Sequence, residues 1–254
     1  MSSLENLPPL GPARPVPAPR VDTETLPNGL TVQVVPYEGV PLVSIRLVTR
    51  GGLSDDPPGS PGLARLLASS LREGTTTRSG PELAELAQEA GGDLSAGAGP
   101  DSLSIGASGL AARVPLLLDL VADLAMRPSF PADGVARVMD LVREDLETSE
   151  SEPSYLAVRA FARALYGSHP YGTISPTRAS IDAVTPEVLA VEAARRLRPE
   201  RSLLLVAGDV DPVAVHAEAA RLLGGWRGAG DPPAAVPAPG APVGPRRIFV
   251  LDRP

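Results

Sequence analysis

The chain of 254 residues contains no cysteine. Disulfides, thiolate metal sites and Cys nucleophiles are therefore excluded in any compartment. Lysine is also missing, so all 23 basic residues are arginine, and asparagine occurs only at Asn6 and Asn28. That bias reads as a trace of GC-rich coding DNA and carries no chemistry. Aromatic residues make up 3% of the chain, which leaves Leu, Val and Ala to fill the core and favours helices packed on a sheet. The two histidines, His169 and His216, lie in separate segments and each reads as a solvent-facing or capping side chain. No run of about 20 apolar residues occurs, so no membrane span is expected. The first twenty residues have no apolar stretch of signal-peptide length; as written, the chain reads as cytoplasmic.

What is present points to a folded domain. Hydrophobic residues account for 43%, enough for a substantial core. The formal net charge of −7, with arginines scattered among acids, argues against nucleic acid, whose phosphates need clustered positive charge.

Residues 1–20 carry prolines at 8, 9, 12, 15, 17 and 19 and read as an extended arm. Residues 21–227 read as one domain, and 228–245, rich in Pro, Ala and Gly, as a linker. Residues 246–254 look like the first strand of a second domain not contained in the chain. Within 21–227, Leu-Pro-Asn-Gly-Leu at 26–30 signals a hairpin, because Gly29 tolerates positive φ, and 42–48 continues as a third strand. Helices are predicted over 61–72, 79–90, 113–126, 131–149, 155–166, 186–197 and 212–223, with strands at 93–98, 102–108 and 202–206. Ser79 and Glu82 have the spacing of a capping box.

Several blocks in order resemble peptidase family M16, the pitrilysin/insulinase-like zinc peptidases. They are LPNGLTV, VTRGG, the Gly-x-Ala helix start at Gly62–Ala64, EGTTTRS, LYGSHPYG and LLLVAGDVDP. The resemblance implies an α+β (mixed α/β) fold, a mostly antiparallel sheet covered by helices, here the amino-terminal half of a two-domain protein. It also implies a catalytic H-x-x-E-H on the helix after Gly-x-Ala, with a distal carboxylate as third zinc ligand. Residues at i, i+3 and i+4 share a helix face, so two imidazoles meet one ion beside a Glu base. The corresponding residues here are Arg65, Ala68 and Ser69, with Asp145 at the distal position. Both imidazoles and the base are replaced, so no metal and no cofactor is expected. Two readings of Arg65 stand: a solvated residue, or a fixed positive charge paired with Asp145 where the ion would sit.

The family also implies peptide binding by strand addition at a sheet edge. The matching stretch is Ser95, Ala96, Gly97 and Ala98, where the family tends to show Asn-Ala-x-Thr; an ordinary glycine-rich edge is the alternative. The expectation is a non-catalytic subunit that partners an M16 peptidase subunit with an intact motif, or a second copy of itself, and helps to hold extended peptides. The alternative is a scaffold or peptide-binding protein without a role in proteolysis. Bacterial relatives are often periplasmic, which leaves the compartment open.

Overall fold

The computed structural model describes residues 18–234, 236–240, 248 and 250. Six strands form one sheet in the order β1-β2-β6-β3-β5-β4. Strands β1 (Asp22–Thr25) and β2 (Thr31–Pro36) make the hairpin expected from Pro27-Asn28-Gly29, with Gly29 at φ 90°. Asn28 does more than turn the chain: its amide donates to Leu223 O (2.7 Å) and Trp226 O (3.2 Å), fastening the hairpin to the end of the domain.

Strands β3 (Leu42–Arg50), β4 (Asp93–Ala98) and β5 (Ser102–Leu110) form an antiparallel run. Late in the chain, β6 (Ser202–Gly208) inserts between β2 and β3, parallel to the first and antiparallel to the second. The registers align two rows of apolar side chains across the sheet. One comprises Val34, Val206, Ile45, Ala107 and Leu94, the other Val32, Leu204, Leu47, Ile105 and Ala96. Alternation along each strand places both rows on one face, and helices cover that face.

Helix α3 (Val114–Met126) lies against β3 and β5 and is the most deeply buried. It is flanked by α8 (Pro212–Leu223) toward β2, and by α1 (Leu63–Ser70) and α2 (Gly80–Glu89) toward β4. The capping box at Ser79 is present, with Glu82 carboxylate accepting from Ser79 N–H at 2.7 Å. Helix α4 (Ala132–Ser151) packs outside α1, and α5 (Pro153–Tyr166) turns away after Glu152 with Ala162 as its one fully buried residue. Helix α7 (Pro186–Arg196) closes the α1 side.

The helix expected over 61–72 divides into α1 and a 3-10 turn at Leu71–Glu73. Helix α6 (Arg178–Asp182) was not anticipated, because five residues are too few to show a helical period; Thr177 caps it by accepting from Ser180 N–H. His216 departs from the solvent-facing or capping expectation. It is buried on α8, with Nε2 2.9 Å from Asp22 Oδ1. The arm at 1–20 lies outside the described residues up to residue 17, and of 246–254 only Ile248 and Val250 are described, both exposed. The described part of 228–245 contains no helix or strand.

Candidate functional site

Helix α1 begins where the chain could not continue with any other residue. Gly62 has φ 83°, and a Cβ there would lie 2.9 Å from the Pro176 backbone. One turn earlier, Asp56 Oδ1 accepts from Ala64 N–H at 2.9 Å and holds the first turn. Asp56 is itself held by Arg196, the fully buried last residue of α7. The guanidinium donates to Asp56 Oδ1 (2.8 Å), Glu192 Oε2 (2.8 Å) and the carbonyls of Gly51 (3.0 Å) and Gly52 (2.7 Å). A single side chain therefore anchors the loop from β3 to α1.

The charges around Arg196 respond differently to burial. Asp56 is pushed above the usual carboxylate range because burial outweighs the Arg196 charge, and its Oδ2 has no partner. Burial also acts against Glu192, but its bonds to Arg195 and Arg196 prevail and hold it below its ordinary value.

On α1, Arg65 points outward and reaches Asp145 of α4, Nη2 to Oδ2 3.5 Å, with the two side chains 49% and 63% exposed. Ala68, one turn on along the same side of the helix, is buried in the core and 1% exposed. Ser69 is half-buried. Of the four positions expected from the motif spacing, the fold brings Arg65 and Asp145 into contact and buries Ala68. Arg72, beyond the helix, is exposed and donates to Leu94 O at 3.4 Å.

This donor set does not fit a zinc ion. Tetrahedral sites need three or more imidazole, thiolate or carboxylate donors; here one carboxylate faces a guanidinium, a methyl group and a neutral hydroxyl. Among the described residues no cluster of three His, Cys, Asp or Glu side chains is disposed to hold a metal.

The four residues at 95–98 lie on β4, the last strand of the sheet. Gly99 N–H donates to Ser102 O at 2.7 Å, so its backbone faces β5. Alternation then turns Ser95 and Gly97 toward β5, and Ala96 and Ala98 toward the free edge. Leu94 also faces the edge, but its carbonyl is taken by Arg72. Helix α1 runs antiparallel beside this strand: Arg72 meets Leu94, while Gly62 lies near the far end through Leu53, whose N–H donates to Gly99 O.

A second charged cluster was missed by the sequence reading. In EGTTTRS, Thr75, Thr77 and Arg78 all bind Oδ2 of the fully buried Asp123 of α3 (2.7, 2.7 and 3.0 Å), and Arg127 binds Oδ1 (2.6 Å). Burial pushes this carboxyl up, but the bonds from Thr75, Arg127 and Thr77 together outweigh it and hold it below its ordinary value. The cluster ties the loop before α2 to the central helix. An apolar helix with one Asp every four residues, Asp119 and Asp123, was the available signal.

Comparison with known proteins matches residues 34–175 to the model of the insulinase family, peptidase family M16. An uncharacterised zinc protease of Mycobacterium tuberculosis is 31% identical over 206 residues, covering 81% of this chain and 47% of its own length. Among solved structures, a peptidase M16 inactive domain from Pseudomonas fluorescens superposes with a TM-score of 0.80 at 27% identity, over 87% of this chain and 54% of that one. A protease from Helicobacter pylori shares the fold with a TM-score of 0.78 at 20% identity, over 88% of this chain and 54% of that one. The chain spans about half the length of the curated relatives it matches.

Proposed function

Because the chain belongs to peptidase family M16, the insulinase family, and its α1 face offers a zinc ion a single carboxylate, we propose that it is a non-catalytic member that accompanies an active zinc peptidase and holds extended peptides along β4. The observation that carries this reading is the Arg65–Asp145 pair. The one carboxylate at the distal ligand position is already facing a permanent cation, and the general-base position is a methyl group inside the core. Hydrolysis by the family route needs an activated water, and neither a base nor a ligand set is there to activate it.

The substrate-holding half of the proposal rests on β4. Backbone donors and acceptors of Ala96 and Ala98 face a sheet edge beside α1, the geometry that strand addition uses. Pairing through backbone groups does not depend on the side chains at 95–98, so replacement of the family pattern there leaves it intact.

The test is to mix the purified chain with an M16 peptidase of the same organism that has an intact H-x-x-E-H. The chain alone should not cleave quenched fluorescent peptides, and the two proteins should co-elute with altered turnover of the active one. Chelator-sensitive cleavage by this chain alone would sink the proposal. Absence of association, with peptide binding retained, would favour the scaffold or peptide-binding alternative.

A further inference from the structure

The end of the β4 edge opens into a groove to which neither the zinc-peptidase chemistry nor strand addition assigns a role. A cleft of about 430 Å³ is walled by Leu53, Pro100, Tyr166 and Ile174, and Pro100 sits two residues beyond Ala98. The cleft shares Leu53 and Ile174 with a hollow of about 740 Å³ that reaches Arg159 and Arg163 on α5. Its wall is braced: Tyr171 Oη donates to both oxygens of Asp101 (2.6 and 2.8 Å), and the Tyr166 and Tyr171 rings meet edge-on at 5.6 Å.

The two arginines lie one helical turn apart and so share a face of α5. Arg159 is engaged by Glu150 at 3.0 Å. Arg163 is exposed, and its guanidinium has no ion pair or side-chain hydrogen bond to any described residue. The single acid lining the hollow, Asp56, is already bound to Arg196 and Ala64 N–H. The hollow is thus a cationic spot on a chain whose formal net charge is −7. A planar guanidinium with free donors suits a carboxylate, which it can bind through two parallel N–H···O bonds.

We propose that this groove is a peptide subsite in which an apolar side chain fills the Leu53–Tyr166 cleft and an adjoining carboxylate binds Arg163. The proposal rests on the strand-addition reading of β4, which delivers the peptide to the cleft. The carboxylate has two sources, a peptide carboxy-terminus or an acidic side chain. A terminal carboxylate reaches Arg163 when the peptide runs parallel to β4, and an acid near the amino end when it runs antiparallel.

Fluorescence anisotropy with three labelled peptides of alternating Thr and Ala tests this. One ends in Leu-Phe with a free carboxylate, one carries Glu-Phe near its amino end with an amidated terminus, and the parent is neutral throughout. At least one acidic probe should bind about tenfold tighter than the parent, and Arg163→Gln should erase that difference while leaving the parent unchanged. Equal binding of all three, or a difference that survives Arg163→Gln, overturns the subsite. Ala96→Pro places a ring where the edge N–H stood and should weaken all three probes together. If the parent is indifferent to Ala96→Pro, strand addition fails whatever Arg163 does; no binding of any probe overturns both.

Discussion

Replacing Arg196 by Met should be among the most damaging single changes in this domain. Met approximates the length of the side chain but removes the charge and every donor at the junction of α7, the β3–α1 loop and Asp56. Glu192 would keep Arg195, whose Nη2 lies 2.7 Å away. Asp56 would keep only Ala64 N–H, with one oxygen already unpartnered, and the Gly51 and Gly52 carbonyls would be left buried. Breaking a buried pair by removing one partner costs about 3–5 kcal/mol, against a total stability of roughly 5–15 kcal/mol. The melting temperature should fall by about 10 °C, taking roughly 2–4 °C per kcal/mol for a domain of this size. Arg65→Met is the control: its pair is half-exposed, so the loss should stay below about 1 kcal/mol. Urea unfolding followed by circular dichroism compares the two. The sign of the pH effect is also fixed. Burial already raises Asp56, so acid, by neutralising the orphaned carboxyl, should shrink the Arg196→Met penalty. A variant no less stable than Arg65→Met would refute the anchoring role of Arg196.

Asp123 titrates in the opposite sense. Its folded value is depressed, so its contribution is complete above the ordinary carboxylate range of about 4 and is lost as pH falls through the lower folded value. Asp123→Asn should cost about 3 kcal/mol at neutral pH and flatten the acid limb of a stability-versus-pH curve; an unchanged limb would count against the assignment. At the degenerate site, Arg65→His, Ser69→His and Asp145→Glu together should create a site that takes up roughly one zinc per chain, measured by calorimetry and metal analysis. Ala68 stays unchanged there because it is packed in the core. Failure to take up zinc would mean that these positions do not converge.

Local structure was legible where a single segment carries its own signal. The capping box at Ser79 and Glu82, the turn at Gly29 and the periods of α3 and α4 depend on neighbours in sequence, and each emerged close to its expected bounds. Contacts across the chain were not legible. Arg195-Arg196 at a helix end reads as ordinary dipole complementation, and Asp56 in Asp-Asp-Pro-Pro reads as a turn; nothing local says that residues 140 positions apart meet in the core. The place of β6 between β2 and β3 is equally invisible, since an apolar strand late in the chain is compatible with several positions in a sheet. At the candidate site the motif spacing named Arg65, Ala68, Ser69 and Asp145, but it could not tell which would face outward.

The burial of α1 is consistent with the proposed loss of a zinc motif, because the place of the helix in the fold does not depend on the side chains at 65 and 69. The buried side of α1 and its following turn includes Leu63, Leu66, Leu67 and Leu71, each nearly or wholly excluded from solvent. Burying such side chains contributes about 1.5–3 kcal/mol apiece, whereas the exposed Arg65–Asp145 pair contributes less than about 1 kcal/mol. The start of the helix is fixed independently by Gly62, Asp56 and Arg196. Positions 65 and 69 therefore bear little of the folding free energy, and their chemistry can change while the helix, its distance from α4 and its antiparallel course beside β4 are kept. Peptide holding needs that course and the free edge; hydrolysis needs the side chains as well. On the proposed reading, the first outlasts the second on the same scaffold.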